Sequence, residues 1–223
     1  MRKLDKLIGF EMRISPKKGR IVRFSLMGLA VIGLSIAIPR AGQEIKVNAA
    51  RNALADLTAA GPNERAELYL AAERVFTKPV GLGEWNDLAA QFALLQQPMD
   101  LDRAEALSWA ALQRSPARAE SWARLAYIEL VRNGKLTPKS FEYLERSFIV
   151  EPAGYGQFMN WRLNFMFAYW SQFPTPLQEM TMRSFRMLAM RRGNDVAMRE
   201  VGAHNDAELT TRAKLALQIP DNQ

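Results

Sequence analysis

The chain has 223 residues, of which 48% are hydrophobic and 24% charged, so one ordinary globular domain with extensions fits it. It has no cysteine, which removes disulfides, thiolate catalysis, lipoprotein attachment and iron–sulfur clusters together. A net charge of +7 would suggest nucleic acid, but the excess is concentrated in residues 1–23 and the remainder is close to neutral, so no DNA- or RNA-binding face is expected.

Residues 1–20 read as a basic arm. In "MRKLDKLIGFEMRI", Leu4, Leu7 and Ile8 share one side at helical spacing with lysines beside them, which suits either an anionic leaflet or a disordered positive-inside signal. Residues 21–39 then read as a transmembrane helix, with Ile21, Phe24, Leu26, Val31, Leu34 and Ile38 in a stretch whose only charge is Arg23 at its edge. Eighteen residues of helix rise about 27 Å, close to a hydrocarbon thickness of about 30 Å. The exit, Ala37-Ile38-Pro39-Arg40-Ala41, puts proline and arginine where signal cleavage needs small residues, and the preceding arm is long for a signal peptide. An uncleaved anchor is therefore expected ahead of a cleaved signal or a buried helix. The lysine and arginine bias places the N-terminus in the cytoplasm and the rest outside. In a bacterium this describes a single-pass inner-membrane protein with a periplasmic C-terminal domain.

Beyond Pro39 no segment alternates apolar and polar residues as a strand would, and the long apolar patterns have a period near 3.6. An all-α domain follows, with helices expected near 41–60, 64–77, 83–97, 102–114, 117–132, 138–149, 156–172, 176–192 and 205–217. The start signals are Asp102 with Glu105, Thr137-Pro138, Thr175-Pro176 with Gln178, and Asn205 with Glu208. The regions divide as 40–99, a helical linker and N-terminal helices; 100–192, a repeat region; and 193–223, a C-terminal capping helix and tail.

The repeat is carried by spacing. Ala104, Ser108, Ala111 and Pro116 match the second helix of a tetratricopeptide repeat, with serine in the aromatic slot. Trp122, Leu125 and Ala126 match the next first helix, and Phe141, Leu144, Phe148 and Pro152 close that unit. Residues 119–152 thus resemble one tetratricopeptide repeat with degenerate flanks, although its glycine and tyrosine positions are replaced. The resemblance implies antiparallel helix pairs stacked side by side, with an extended surface that holds another protein or its tail. The order of anchor, degenerate repeat, "WRLNFMFAYWSQFPTPLQEM" and basic helix also resembles accessory proteins of bacterial cell-surface polysaccharide gene clusters. That implies a role in polysaccharide biosynthesis or export.

Catalytic signals are sparse. His204 is the single histidine and stands in "GAHNDAE", where a turn residue is expected. No phosphate loop or dinucleotide fingerprint occurs, and no catalytic residue, metal or cofactor is expected. The aromatic segment from Phe158 to Phe173 reads first as core. Within it and the helix after it, Trp161, Arg162, Tyr169, Trp170, Arg183 and Arg186 are the candidate contacts for a partner or a glycan. The expected function is a non-enzymatic scaffold for an envelope protein complex. The alternatives are a glycan-binding protein or enzyme using the aromatic helix and its arginines, and a scaffold for cytochrome maturation or division.

Overall fold

The computed structural model describes residues 39–61, 63–77 and 79–218. The chain divides into two units, Met1–Lys46 and Val47–Gln223. In the first, the described residues 39–46 are helical; the expected basic arm lies outside the described residues, as does the expected span except its last residue, Pro39. No helix of the described residues is long and apolar enough to cross a membrane.

The second unit is all-α, with no strand among the described residues. Its helices are α1 (47–59), α2 (Arg65–Phe76), α3 (Gly83–Leu95), α4 (Leu101–Arg114), α5 (Ala119–Asn133), α6 (Pro138–Val150), α7 (Gly156–Ala168), α8 (Thr175–Arg192), α9 (Asn194–Gly202) and α10 (Ala207–Gln218). A single 3₁₀ turn, Trp170–Gln172, separates α7 from α8.

From α3 to α6 consecutive helices pack as antiparallel neighbours, and the cross-links between them show why. Gly83 at the start of α3 lies against Ala111 and Arg114 near the end of α4, where an added Cβ would come within 3.3 Å of the Arg114 side chain. Arg132 at the end of α5 reaches back to Asp102 and Glu105 at the start of α4, at 2.8 and 2.7 Å. Lys139 at the start of α6 pairs with Glu129 near the end of α5. Small side chains permit this closeness: Ala89, Ala90, Ala93, Ala104, Ala111, Ala119, Ala123 and Ala126 are all fully buried. With no bulk at those positions the backbones approach, and larger residues fill the remaining gaps.

The core follows the chain. Val47, Ala50, Leu54 and Leu57 from α1 pack with Phe76, Trp85 and Phe92 of α2 and α3. Leu125, Leu144, Phe148, Phe165 and Phe173 join α5, α6 and the region around α7. Phe167, Trp170, Phe185, Leu188, Val201 and Leu209 join α7, α8, α9 and α10. Most helices thus bury apolar surface against neighbours in the chain, with α3 on α5, α6 on α8 and α10 on α8 as the links that skip a helix.

Several start signals fall elsewhere than expected. Asp100, not Asp102, caps α4 by accepting from the Arg103 N–H at 3.1 Å, which frees Asp102 to meet Arg132. Thr137 forms the expected cap of α6, exchanging bonds with Ser140. At α8 Thr175 is already helical and Gln178 donates instead to the Trp170 carbonyl, tying the 3₁₀ turn to the helix. Asp206, not Asn205, caps α10 by accepting from the Leu209 N–H at 2.8 Å, while Asn205 takes the left-handed turn at φ 51°. The helix expected over 156–172 ends at Ala168. The nine-residue α9, bracketed by Gly193 and Gly202, was not anticipated.

Candidate functional site

The helices α3, α5 and α7 line a cleft of about 630 Å³. From α3 come Glu84, Asp87, Leu88, Gln91, Leu94 and Leu95, a run at spacings of three and four that keeps one side of the helix toward the cleft. From α5 come Glu120, Arg124 and Tyr127, preceded by Arg118; from α7 come Gln157, Phe158 and Trp161. Met99, from the connection between α3 and α4, also lines it and is 44% exposed.

Beneath the cleft lies a charged pair. Asp87 and Arg124, both nearly buried, meet at 2.7 Å, and the Ser121 hydroxyl also donates to the carboxylate. Burial by itself pushes the Asp87 carboxyl up, but the Arg124 charge and the hydrogen bonds from Arg124 and Ser121 outweigh it, so the carboxyl lies below its ordinary value. The pair links α3 to α5 and leaves little net charge there. Glu84 is likewise tied to Arg51 of α1. Arg118 is different: its Nε is enclosed without a hydrogen-bond acceptor among the described residues. The cleft therefore presents aromatic and aliphatic surface with Glu84, Asp87 and Arg124 paired within the protein, while Arg118 and Glu120 make no ion pair among the described residues.

Trp161 is the ring best placed to meet a ligand. It is 39% exposed, stacks on Phe165 with 5.4 Å between ring centres, and meets Tyr127 edge-on at 6.2 Å. Phe158 stacks on it as well, with 6.4 Å between ring centres, so three aromatic neighbours fix its orientation and little side-chain freedom is lost when something packs on its exposed part.

The six candidate contact residues do not form one site. Tyr169 reaches Trp161 only through Phe165, which it meets at 5.5 Å. Arg162 is fully buried and offers no surface to a ligand. Its guanidinium donates to the Ser147 and Glu151 carbonyls at 3.0 and 2.8 Å and to Pro152 at 3.2 Å, closing the end of α6. Burial lowers its pKa to about 10, and the charge persists at neutral pH. Trp170 is 1% exposed and belongs to the core between α7 and α8. It also walls a second cleft, of about 370 Å³, which Arg183 and Arg186 line from α8. The aromatic segment is divided because a helix packed on several sides sends its rings in several directions.

Tyr127, Leu88 and Met99 were not anticipated as lining residues. Leu88 and Tyr127 lie on α3 and α5, and Met99 in the connection between α3 and α4, so their convergence depends on how those helices pack and no local pattern marks it. His204 occupies its expected turn, with Nε2 3.3 Å from the Asn164 Oδ1 and its ring edge-on to Phe167. Among the described residues, no three His, Asp or Glu side chains gather into a metal-holding group. Comparison with protein-family models, curated proteins and solved structures found no match to this chain.

Proposed function

We propose that the chain is a membrane-anchored, tetratricopeptide-like scaffold that holds an apolar segment of a partner protein in the α3–α5–α7 cleft. The carrying observation is the half-exposed Trp161, braced by Phe165 and Tyr127 at the edge of a cleft whose Glu84, Asp87 and Arg124 are paired within the protein. Such a surface gains by burying aromatic and aliphatic groups at about 25 cal/mol per Å², and it has few unpaired charges to desolvate. Residues 21–39 hold the protein in the bacterial inner membrane, residues 1–20 stay in the cytoplasm, and the helical domain works in the periplasm. Its pathway is envelope assembly, with surface-polysaccharide biosynthesis or export as the specific process.

A photoreactive amino acid at Gln91, an exposed residue of the cleft, tests the docking role in living cells against the same group at exposed Ile149 of α6. One adduct of defined mass is expected from Gln91 alone, and it is lost when Trp161→Ala is added. Equal labelling from both positions, or none from either, removes the scaffold reading. A C-terminal reporter active only in the periplasm checks the compartment, and an inactive fusion there overturns it.

A further inference from the structure

The cleft between α8 and α10 shares no lining residue with the α3–α5–α7 cleft and has a different chemistry. Arg183 and Arg186 line it from α8, and α10 contributes Arg212. Glu179 is the one carboxylate in the lining. Glu208 lies 3.8 Å from Arg212, but both side chains are more than half exposed and the pair is loose. Counting both carboxylates, the positive charge stays in excess. Among the described residues Arg183 and Arg186 make no ion pair.

Three arginines lining one cleft bring like charges together, and an entering anion relieves their repulsion. The planar fork of each offers paired donors to a tetrahedral oxyanion. Thr175 and Gln178 add polar side chains to the wall. The remaining lining is apolar: Met182, Ala216, Trp170 and Leu215, the last 53% exposed. The Trp170 Nε1–H, moreover, has no acceptor among the described residues, the kind of unanswered buried donor that bound water or ligand accounts for. At about 370 Å³ the cleft is at the small end of ligand sites.

We propose that this cleft binds a phosphate group joined to an apolar body, carried by a small phosphorylated molecule or by an anionic lipid headgroup. Phosphate suits the site better than a single carboxylate because three cations face it. The site is independent of partner docking at Trp161.

The test is thermal unfolding of the full-length chain in a nonionic detergent. One arm adds sodium pyrophosphate, with sodium chloride at matched ionic strength as the control; the other mixes phosphatidylglycerol into the micelles, with undoped micelles as the control. A rise in unfolding temperature above the control is expected in at least one arm, and the arm with the larger rise identifies the source. Arg186→Gln and Arg212→Gln each weaken the apparent affinity at least about tenfold, as loss of a charge-assisted contact predicts. Lys214→Gln, exposed on the same helix and outside the cleft, leaves it unchanged. No rise in either arm, or a rise that persists in both arginine variants, overturns the proposal.

Discussion

The Arg162 guanidinium lies over the ring of Phe148, 4.0 Å from carbon to ring centre. It meets this ring while donating to three carbonyls around the end of α6, so one side chain from α7 satisfies the terminus of the preceding helix and covers its last core aromatic. From the other side the Ser184 hydroxyl donates to the Pro152 carbonyl and Arg191 donates to that of Gly154 at 3.0 Å. The turn between α6 and α7 is thereby fixed by three side chains from two helices. This turn sets the direction of α7, and with it the angle at which Trp161 enters the cleft.

Replacing Arg162 with leucine leaves the Glu151 carbonyl without its donor and removes one of two donors from the Ser147 and Pro152 carbonyls, which keep the Glu151 N–H and the Ser184 hydroxyl. One unanswered buried group costs about 1–3 kcal/mol, so the variant is expected to lose about that much. Arg162→Lys recovers little, because an ammonium cannot fork across carbonyls on both sides of the turn. Urea unfolding measures both variants; a leucine variant as stable as the parent would show that the turn does not depend on this residue.

Acid should loosen the contact between α3 and α5. The native Asp87 carboxyl lies below its ordinary value, so the folded chain holds that proton more weakly than the unfolded chain. Its contribution is therefore complete above the unfolded value of about 4 and is lost as pH falls through the lower native value. Asp87→Asn leaves the buried Arg124 without its counter-charge and costs about 3–5 kcal/mol at pH 6. The gap between parent and variant narrows as urea midpoints are followed from pH 6 to pH 2.5. A constant gap would mean that the carboxylate charge contributes nothing.

By contrast, Arg132→Ala should change stability by less than about 1 kcal/mol. Arg132 bridges Asp102 and Glu105, yet its side chain is 37% exposed and that of Asp102 is 96% exposed, so water screens the charges and replaces the bonds. The urea midpoint should move little, and the movement should shrink further in 0.5 M salt. A loss comparable with that of Arg162→Leu would show that exposure does not separate the two arginines.

Helix periodicity was legible in the sequence because most helices, α3 to α6 above all, pack on their neighbours in the chain, so local pattern and tertiary contact agree. The exact caps were not, since Asp100 and Asp102 both stand ahead of an apolar run and only the distant Arg132 decides which one leaves the helix end. α9 escaped notice because Gly193 and Gly202 leave it too short for two full periods. The candidate site was harder still. Arg162 and Trp161 are adjacent in sequence, but a rotation of about 100° per residue sends one into the core and leaves the other open to the cleft. Arg212, far along the chain, joins Arg183 and Arg186 only through the packing of α10 on α8.

Two glycines separate backbone strain from steric conflict. Gly134 and Gly154 have almost the same left-handed φ, 66° and 65°. At Gly134, which ends α5, an added Cβ meets nothing within 4 Å. Gly134→Ala therefore costs only the conformational penalty, about 1 kcal/mol. At Gly154 the same Cβ would stand 3.1 Å from both the Cα and the Cβ of Met159 and 3.3 Å from the Arg162 guanidinium. Backbone and a pinned side chain must shift by a small amount there, so Gly154→Ala is expected to add an overpacking cost of about 1–3 kcal/mol to the conformational term. Because φ is matched, the difference between the two unfolding free energies isolates the packing of the α6–α7 turn. Equal losses would show that Met159 and Arg162 move aside freely, and the turn would then be too soft to hold α7 at a fixed angle.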